Sequence, residues 1–148
     1  MKTASWVLDA SALLAYLKRE EGFRKVKAVL SAAAEGGAEV LINEINLGEV
    51  YSVIAKQRSL SAADSIVSEW LPLIPVTPIS NSMADIIAVA GLTARLGLHY
   101  ADSFAAITAG QRNGVLLTTD RDFEKVAGEI RIHWLRQPSP GDKALPAH

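Results

Sequence analysis

Four acidic side chains stand where a chain of this kind could assemble chemistry. Asp9 ends the apolar run Trp6-Val7-Leu8 and leads into Ala10-Ser11-Ala12, while Glu49 sits inside Ile45-Asn46-Leu47-Gly48-Glu49-Val50. Asp102 lies in Tyr100-Ala101-Asp102-Ser103-Phe104-Ala105-Ala106, and Asp120 follows Val115-Leu116-Leu117-Thr118-Thr119. Carboxylates brought close together repel and raise one another's pKa, so they stay ionised together only around a cation. The cation expected is Mg²⁺, with Mn²⁺ as its substitute, because hard divalent ions take carboxylate oxygens and retain waters for a phosphate substrate.

Each acid also has a plainer explanation. Asp9 could cap the helix that begins at Ala10. Glu49 could be a solvated helix-face residue, although Gly48 beside it weakens the helix and leaves room for an approach to the backbone. Asp120 and Asp122, in Thr118-Thr119-Asp120-Arg121-Asp122-Phe123, could form a turn or cap the next helix. Asp102 is the hardest to dismiss, since Tyr100, Phe104, Ala105, Ala106 and Ile107 make its helix almost wholly apolar. The metal reading rests on the joint pattern: acids at the ends of two strands and in the first turns of two helices, all able to face one edge of a parallel sheet.

The elements that must position these residues follow from apolar periodicity, which alternates strands and helices as a helix-covered parallel sheet does. Strands are expected at 5–9, 39–43, 74–78, 115–119 and 131–135. Helices are expected at 10–20, 22–35, 44–58, 61–71, 81–96 and 100–113, with a short one at 121–127. Gly36-Gly37, Gly97 and Gly114 stand where helix ends want a left-handed residue. Ser61 with Asp64 three residues on marks a helix start. The Pro-rich segment from Pro138 is expected to be a disordered tail, which divides the chain into a domain over 1–136 and a tail over 137–148.

At 148 residues and 49% hydrophobic, one domain with an ample core is expected. The chain has no Cys, which removes disulfides, thiolate zinc sites and a cysteine nucleophile. No apolar run reaches the roughly 18 residues that a membrane span needs, and the N-terminus does not read as a signal peptide, so a cytoplasmic protein with no membrane association is expected. The net charge is −1, but setting the four acids aside around a cation leaves 15 basic against 12 acidic side chains. Nucleic acid is therefore permitted as a partner without being required by charge.

Taken in order, Val7-Leu8-Asp9-Ala10-Ser11-Ala12-Leu13-Leu14-Ala15, Asn46-Leu47-Gly48-Glu49-Val50, Tyr100-Ala101-Asp102-Ser103-Phe104-Ala105-Ala106 and Leu117-Thr118-Thr119-Asp120-Arg121-Asp122-Phe123 resemble the PIN-domain ribonucleases, specifically the VapC-type toxins of bacterial toxin–antitoxin pairs. The resemblance covers residues 5–135. It implies a three-layer α/β/α fold around a central, mostly parallel sheet of about five strands. It also implies that Asp9 and Asp102 are the principal Mg²⁺ ligands, that Glu49 and Asp120 complete the pocket, and that Asp122 is an auxiliary acid. Ser11 and Thr118 match small hydroxyl residues that line such pockets. The implied activity is metal-dependent endoribonuclease cleavage, an in-line displacement at a phosphodiester, and the implied partners are RNA, a small VapB-like antitoxin and a second copy of the chain.

Arg121, flanked by two of the acids, is the leading contact to RNA phosphates, with Lys18 and Arg19 next and Arg24, Lys25, Lys27, Arg95 and Arg112 as further cations. His99 is expected to pack or cap rather than to react, and Trp6, Trp70 and Trp134 to lie in the core or at interfaces. Two other functions compete: an RNA-processing nuclease of the same fold without a toxin role, and a non-catalytic module that keeps the acidic pocket for binding. A phosphatase with an aspartate nucleophile after the first strand would want a second Asp two positions later, where Ser11 stands. No glycine motif for a nucleotide phosphate is present.

Overall fold

The computed structural model describes residues 3–137, so all but the first residue of the expected tail lies outside the described residues. The elements run β1 (Ala4–Leu8), α1 (Ala10–Lys18), α2 (Phe23–Ala34), β2 (Ala38–Asn43), α3 (Glu44–Gln57), α4 (Leu60–Ser65), β3 (Thr77–Ile79), α5 (Met83–Leu96), α6 (Tyr100–Gln111), β4 (Val115–Thr118), a 3₁₀ turn (Arg121–Val126) and β5 (Arg131–Trp134). The sheet has the order β3-β2-β1-β4-β5, and its four pairings are parallel. The expected three-layer α/β/α architecture is thus present.

Side-chain alternation along the central strands builds the two cores. Leu8, Val40, Ile42 and Leu117 point to one face, where they meet Leu13, Val26, Leu30, Val50 and Ile54 of α1, α2 and α3. Val7, Leu41 and Leu116 point to the other, against Leu92, Ala105, Ala106, Ala109 and Phe123 from α5, α6 and the 3₁₀ turn. Strands buried on both sides must be apolar at successive positions, which explains Val7-Leu8, Val40-Leu41-Ile42 and Leu116-Leu117. Among the described residues no helix is long and apolar enough to cross a membrane.

Several local expectations are corrected. The helix expected over 61–71 begins instead at Leu60, capped by Ser59, whose side chain accepts the Ala62 N–H. It widens into a π turn over Ile66–Trp70 and closes in a 3₁₀ turn at Leu71–Leu73. Pro72 lacks an N–H and its ring would meet the carbonyl of Ser68 in regular α geometry. The third strand starts at Thr77 rather than 74 and carries Pro78, which is tolerated because β3 is an edge strand. The short helix after Asp120 is 3₁₀.

Gly36 and Gly97 take positive φ as expected, but at the end of α6 the left-handed residue is Asn113, not Gly114. Gly114 is needed for space: a Cβ there would lie 3.2 Å from the Ser5 carbonyl oxygen and 3.3 Å from Val7 Cγ2. Gly22 is more constrained still, with φ +99° and a hypothetical Cβ only 2.8 Å from Leu135 Cβ. Gly22→Ala is therefore expected to destabilise the fold by about 1–3 kcal/mol, read as a lower denaturation midpoint in urea. A midpoint equal to wild type would refute that constraint.

Candidate metal centre

Traced from β1 to β3 the chain moves to one side of the sheet, and with β4 and β5 it fills the other, so strand order reverses between β1 and β4. The carboxyl ends of strands at such a reversal form the crevice in which open α/β sheets bind ligands. The pairing of Leu8 with Leu117 sets the ends of β1 and β4 side by side. Asp9 and Thr118, each at the end of its strand, therefore meet directly.

Asp9 is only 3% exposed. Its Oδ1 accepts the Ala12 N–H at 2.9 Å, capping α1, and the Ser11 hydroxyl at 2.7 Å. Its Oδ2 accepts the Thr118 hydroxyl at 2.6 Å. The capping explanation and the pocket explanation thus hold together, because a carboxylate has about four acceptor positions and three are used here. Ser11 and Thr118 each spend their single hydroxyl proton on Asp9. They accept in turn the backbone N–H of Thr119 and of Asp120, which binds the β4 end to the start of α1. Burial raises the Asp9 pKa to about 6 against the opposing effect of these hydrogen bonds, with a further push from the Asp120 charge.

Asp102 stands in the first turn of α6, its side chain 14% exposed. Its pKa is raised to about 7, first by burial, then by the charges of Asp120, Asp9 and Glu49. The charges of the other three acids thus act on Asp102, although among the described residues the group whose ligand atoms lie within 4.8 Å of one another is Asp102 with His99 and Asp122. Asp120 also caps the 3₁₀ turn, accepting the Asp122 N–H at 2.9 Å. Glu49 lies one turn further into its helix than expected and is held by the Asn46 side chain, whose Nδ2 donates to Oε1 at 2.9 Å.

His99 occupies the N-cap position of α6, where its carbonyl accepts the Ser103 N–H, but its side chain makes no capping bond and is 80% exposed rather than packed. Nδ1 lies 3.7 Å from Asp102 Oδ2 and 4.0 Å from Asp122 Oδ2, and these three residues offer ligand atoms within 4.8 Å of one another. The tightest potential ligand group therefore runs outward from Asp102 to Asp122 and His99, whereas Asp9 forms the buried floor. Oxygen donors that suffer mutual repulsion, joined by one imidazole, fit a divalent cation. Two residues carried little signal in the sequence: His99, and Asn46, whose place three residues before Glu49 on one helix face was its only mark.

The cations are arranged differently. The Arg121 guanidinium lies 4.2 Å over the Trp134 ring and is paired with Glu124 at 2.8 Å, so its charge is already engaged on its own turn. Lys18 pairs with Glu20, and Arg19 lies over the Phe23 ring. Both are at the far end of α1, about 14 Å from Asp9 along a nine-residue helix. The structure does not bring them to the acids. A cavity of about 540 Å³ lies elsewhere too, between α5, α6 and the segment before β5, lined by Leu92, Ala106, Ile107, Val126 and Ile130. It contains none of the acids.

The PIN domain model matches residues 6–129. The chain belongs to the PIN domain family. Solved structures agree at the level of the fold. A DNA-bound VapBC complex from Salmonella typhimurium superposes with a TM-score of 0.68 at 20% identity, over 90% of this chain and 100% of that one. VapBC2 from Rickettsia felis, bound to a promoter DNA fragment, gives 0.68 at 16% identity over 89% and 99%. A VapC toxin of Mycobacterium tuberculosis that cleaves the sarcin–ricin loop gives 0.66 at 15% identity over 84% and 96%. No curated protein matches the sequence significantly. In this PIN domain the acids stand at the carboxyl edge of the sheet, with the exposed His99 beside Asp102 and Asp122.

Proposed function

We propose that this PIN domain is a Mg²⁺-dependent endoribonuclease, with Mn²⁺ able to substitute, and that it acts in the cytoplasm as the toxin of a type II toxin–antitoxin pair. The observation that carries this reading is the environment of Asp102, whose carboxyl is held near pH 7 by burial together with the charges of Asp120, Asp9 and Glu49. Acids so arranged are costly to the fold unless a cation is held among them.

In this proposal Asp9, Glu49, Asp102 and Asp120 hold the ion and Asp122 assists them. An ion held by these residues would supply charge neutralisation at the scissile phosphate and a lowered pKa for the attacking water. The chain's own residues do the positioning. Ser11 and Thr118 fix both oxygens of Asp9, the cap on α1 fixes its backbone, and the parallel register of β1 and β4 sets Asp9 against Thr118, two residues before Asp120. Arg121, stacked on Trp134, would meet RNA as a rigid cation-aromatic pair, while Lys18 and Arg19 could touch only an RNA that extends beyond the acids.

Exposed apolar side chains at Leu60, Leu73, Met83 and Ile87 are the kind of surface that protein partners cover. They supply room for a VapB-like antitoxin and for a second copy of the chain. The Salmonella and Rickettsia relatives in fold are toxin–antitoxin complexes by name, and the Mycobacterium one is a toxin that cuts an RNA loop.

Purified protein incubated with total cellular RNA is expected to produce discrete cut ends in Mg²⁺ and none in EDTA. Expression alone should arrest growth, with relief when the product of an adjacent small reading frame is supplied. RNA cleavage without growth arrest would support an RNA-processing role instead, and absence of cleavage in both Mg²⁺ and Mn²⁺ would leave the domain as a binding module.

A further inference from the structure

We propose that Asn46 is a positioning residue, one that sets Glu49 against Asp102 across the two helical layers. The inference rests on the metal-site reading above and deepens it. Asn46 belongs to α3, which packs with α1 and α2 on the sheet face carrying Leu8 and Ile42, yet its amide reaches the first turn of α6 in the opposite layer. Nδ2 donates to Glu49 Oε1 at 2.9 Å and to the Ala101 carbonyl oxygen at 3.0 Å. Ala101 immediately precedes Asp102, so one amide group ties the Glu49 carboxylate to the backbone that carries Asp102. The opposite orientation of the amide would set an oxygen against a carboxylate and a carbonyl, three acceptors with no proton among them.

The other half of the amide makes the case. Asn46 is fully buried, and its Oδ1 has no hydrogen-bond partner. Buried acceptors without partners are rare because the water they give up is not replaced. The Ala101 carbonyl lies in the first turn of α6, where a helix supplies its own i+4 donor, so it does not depend on Asn46. Leucine has the same branched shape and no polar atom to desolvate, and would suit the site better if stability alone were at stake. The amide is explained by what its donor side holds.

The test compares wild type, Asn46→Leu, Glu49→Gln and the double variant, reading melting in EDTA, the Mn²⁺ dissociation constant by calorimetry, and the RNA cleavage rate. Asn46→Leu should melt at or above wild type, bind Mn²⁺ about tenfold or more weakly, as loss of a ligand's supporting hydrogen bond does, and cleave correspondingly more slowly. Combined with Glu49→Gln it should cost nothing further, because its effect passes through Glu49. Should the leucine variant not fold, Asn46→Ala carries the same comparison.

Mn²⁺ affinity within threefold of wild type in Asn46→Leu, or losses in the double variant that simply add, would overturn the inference while leaving the metal site intact. Wild-type protein that binds no Mn²⁺ would overturn the metal-site reading itself, and this inference with it.

Discussion

Asp102→Asn is expected to reduce metal-dependent RNA cleavage by about a hundredfold or more and, in EDTA, to raise the melting temperature above that of wild type. The loss follows from removing one of the carboxylates that would hold the ion, since metal stabilisation of developing charge at phosphate amounts to several kcal/mol. The gain follows from the field around Asp102, where burial and the charges of Asp120, Asp9 and Glu49 all oppose its ionised form. Asparagine removes that charge with almost no change of volume. Binding of Mg²⁺ to the native state adds RT ln(1 + [L]/Kd), about 2.7 kcal/mol at a hundredfold excess over Kd, and this increment should largely vanish in the variant. Melting curves of both proteins in EDTA and in Mg²⁺ check both claims. A variant less stable in EDTA, with an undiminished Mg²⁺ shift, would make Asp102 a structural residue and dissolve the four-acid site.

The second large effect is on pH. Asp9 and Asp102 have pKa values raised to about 6 and about 7 from an ordinary 3.8, so between those limits the native state binds more protons than the unfolded chain. Stability from these two groups is therefore fully present below about pH 4 and is lost as pH rises through 6 and 7. In EDTA the melting temperature should fall by roughly 5 °C or more between pH 5 and pH 8, given that 1 kcal/mol corresponds to about 2–4 °C in a chain of this size. Saturating Mg²⁺ should flatten the fall, because the ion replaces the protons. Asp102→Asn should reduce the slope in EDTA, which separates these acids from the other titrating groups. A melting temperature that rises over the same interval in EDTA would contradict the geometry of the acids.

The architecture, and the order of the acids along it, are legible in the chain without its coordinates. The short apolar runs around Val7-Leu8, Val40-Leu41-Ile42 and Leu116-Leu117, set between helical patterns, fit strands covered on both faces, and the glycines near 36 and 97 end their helices for reasons local to the backbone. Local signals failed where a feature depended on a non-local neighbour or on one specific atom. Pro72 opened a π turn in what read as a plain helix, and Gly114 proved to answer to Ser5 and Val7 of β1 rather than to its own φ.

The site divides in the same way. That Asp9, Glu49, Asp102 and Asp120 could face one edge was legible, because strand ends and early helical positions in a parallel sheet share that edge. What each does there was decided by tertiary register. Only the alignment of Leu8 with Leu117 turns the Thr118 hydroxyl onto Asp9 and the Thr119 N–H onto Ser11, and only the approach of α3 to α6 makes Asn46 a bridge between Glu49 and the backbone before Asp102. His99 stands at the N-cap of α6 as its place before that helix suggests, but its exposed ring meets Asp122 as well as Asp102 because the 3₁₀ turn after β4 brings Asp122 up to it. Arg121 looked free and is held by Trp134 from the neighbouring strand. Periodicity and turn chemistry are properties of adjacent residues and can be read along the chain, whereas hydrogen bonds and charge fields fall off within a few ångströms and exist only once strands and helices distant in sequence have been packed side by side.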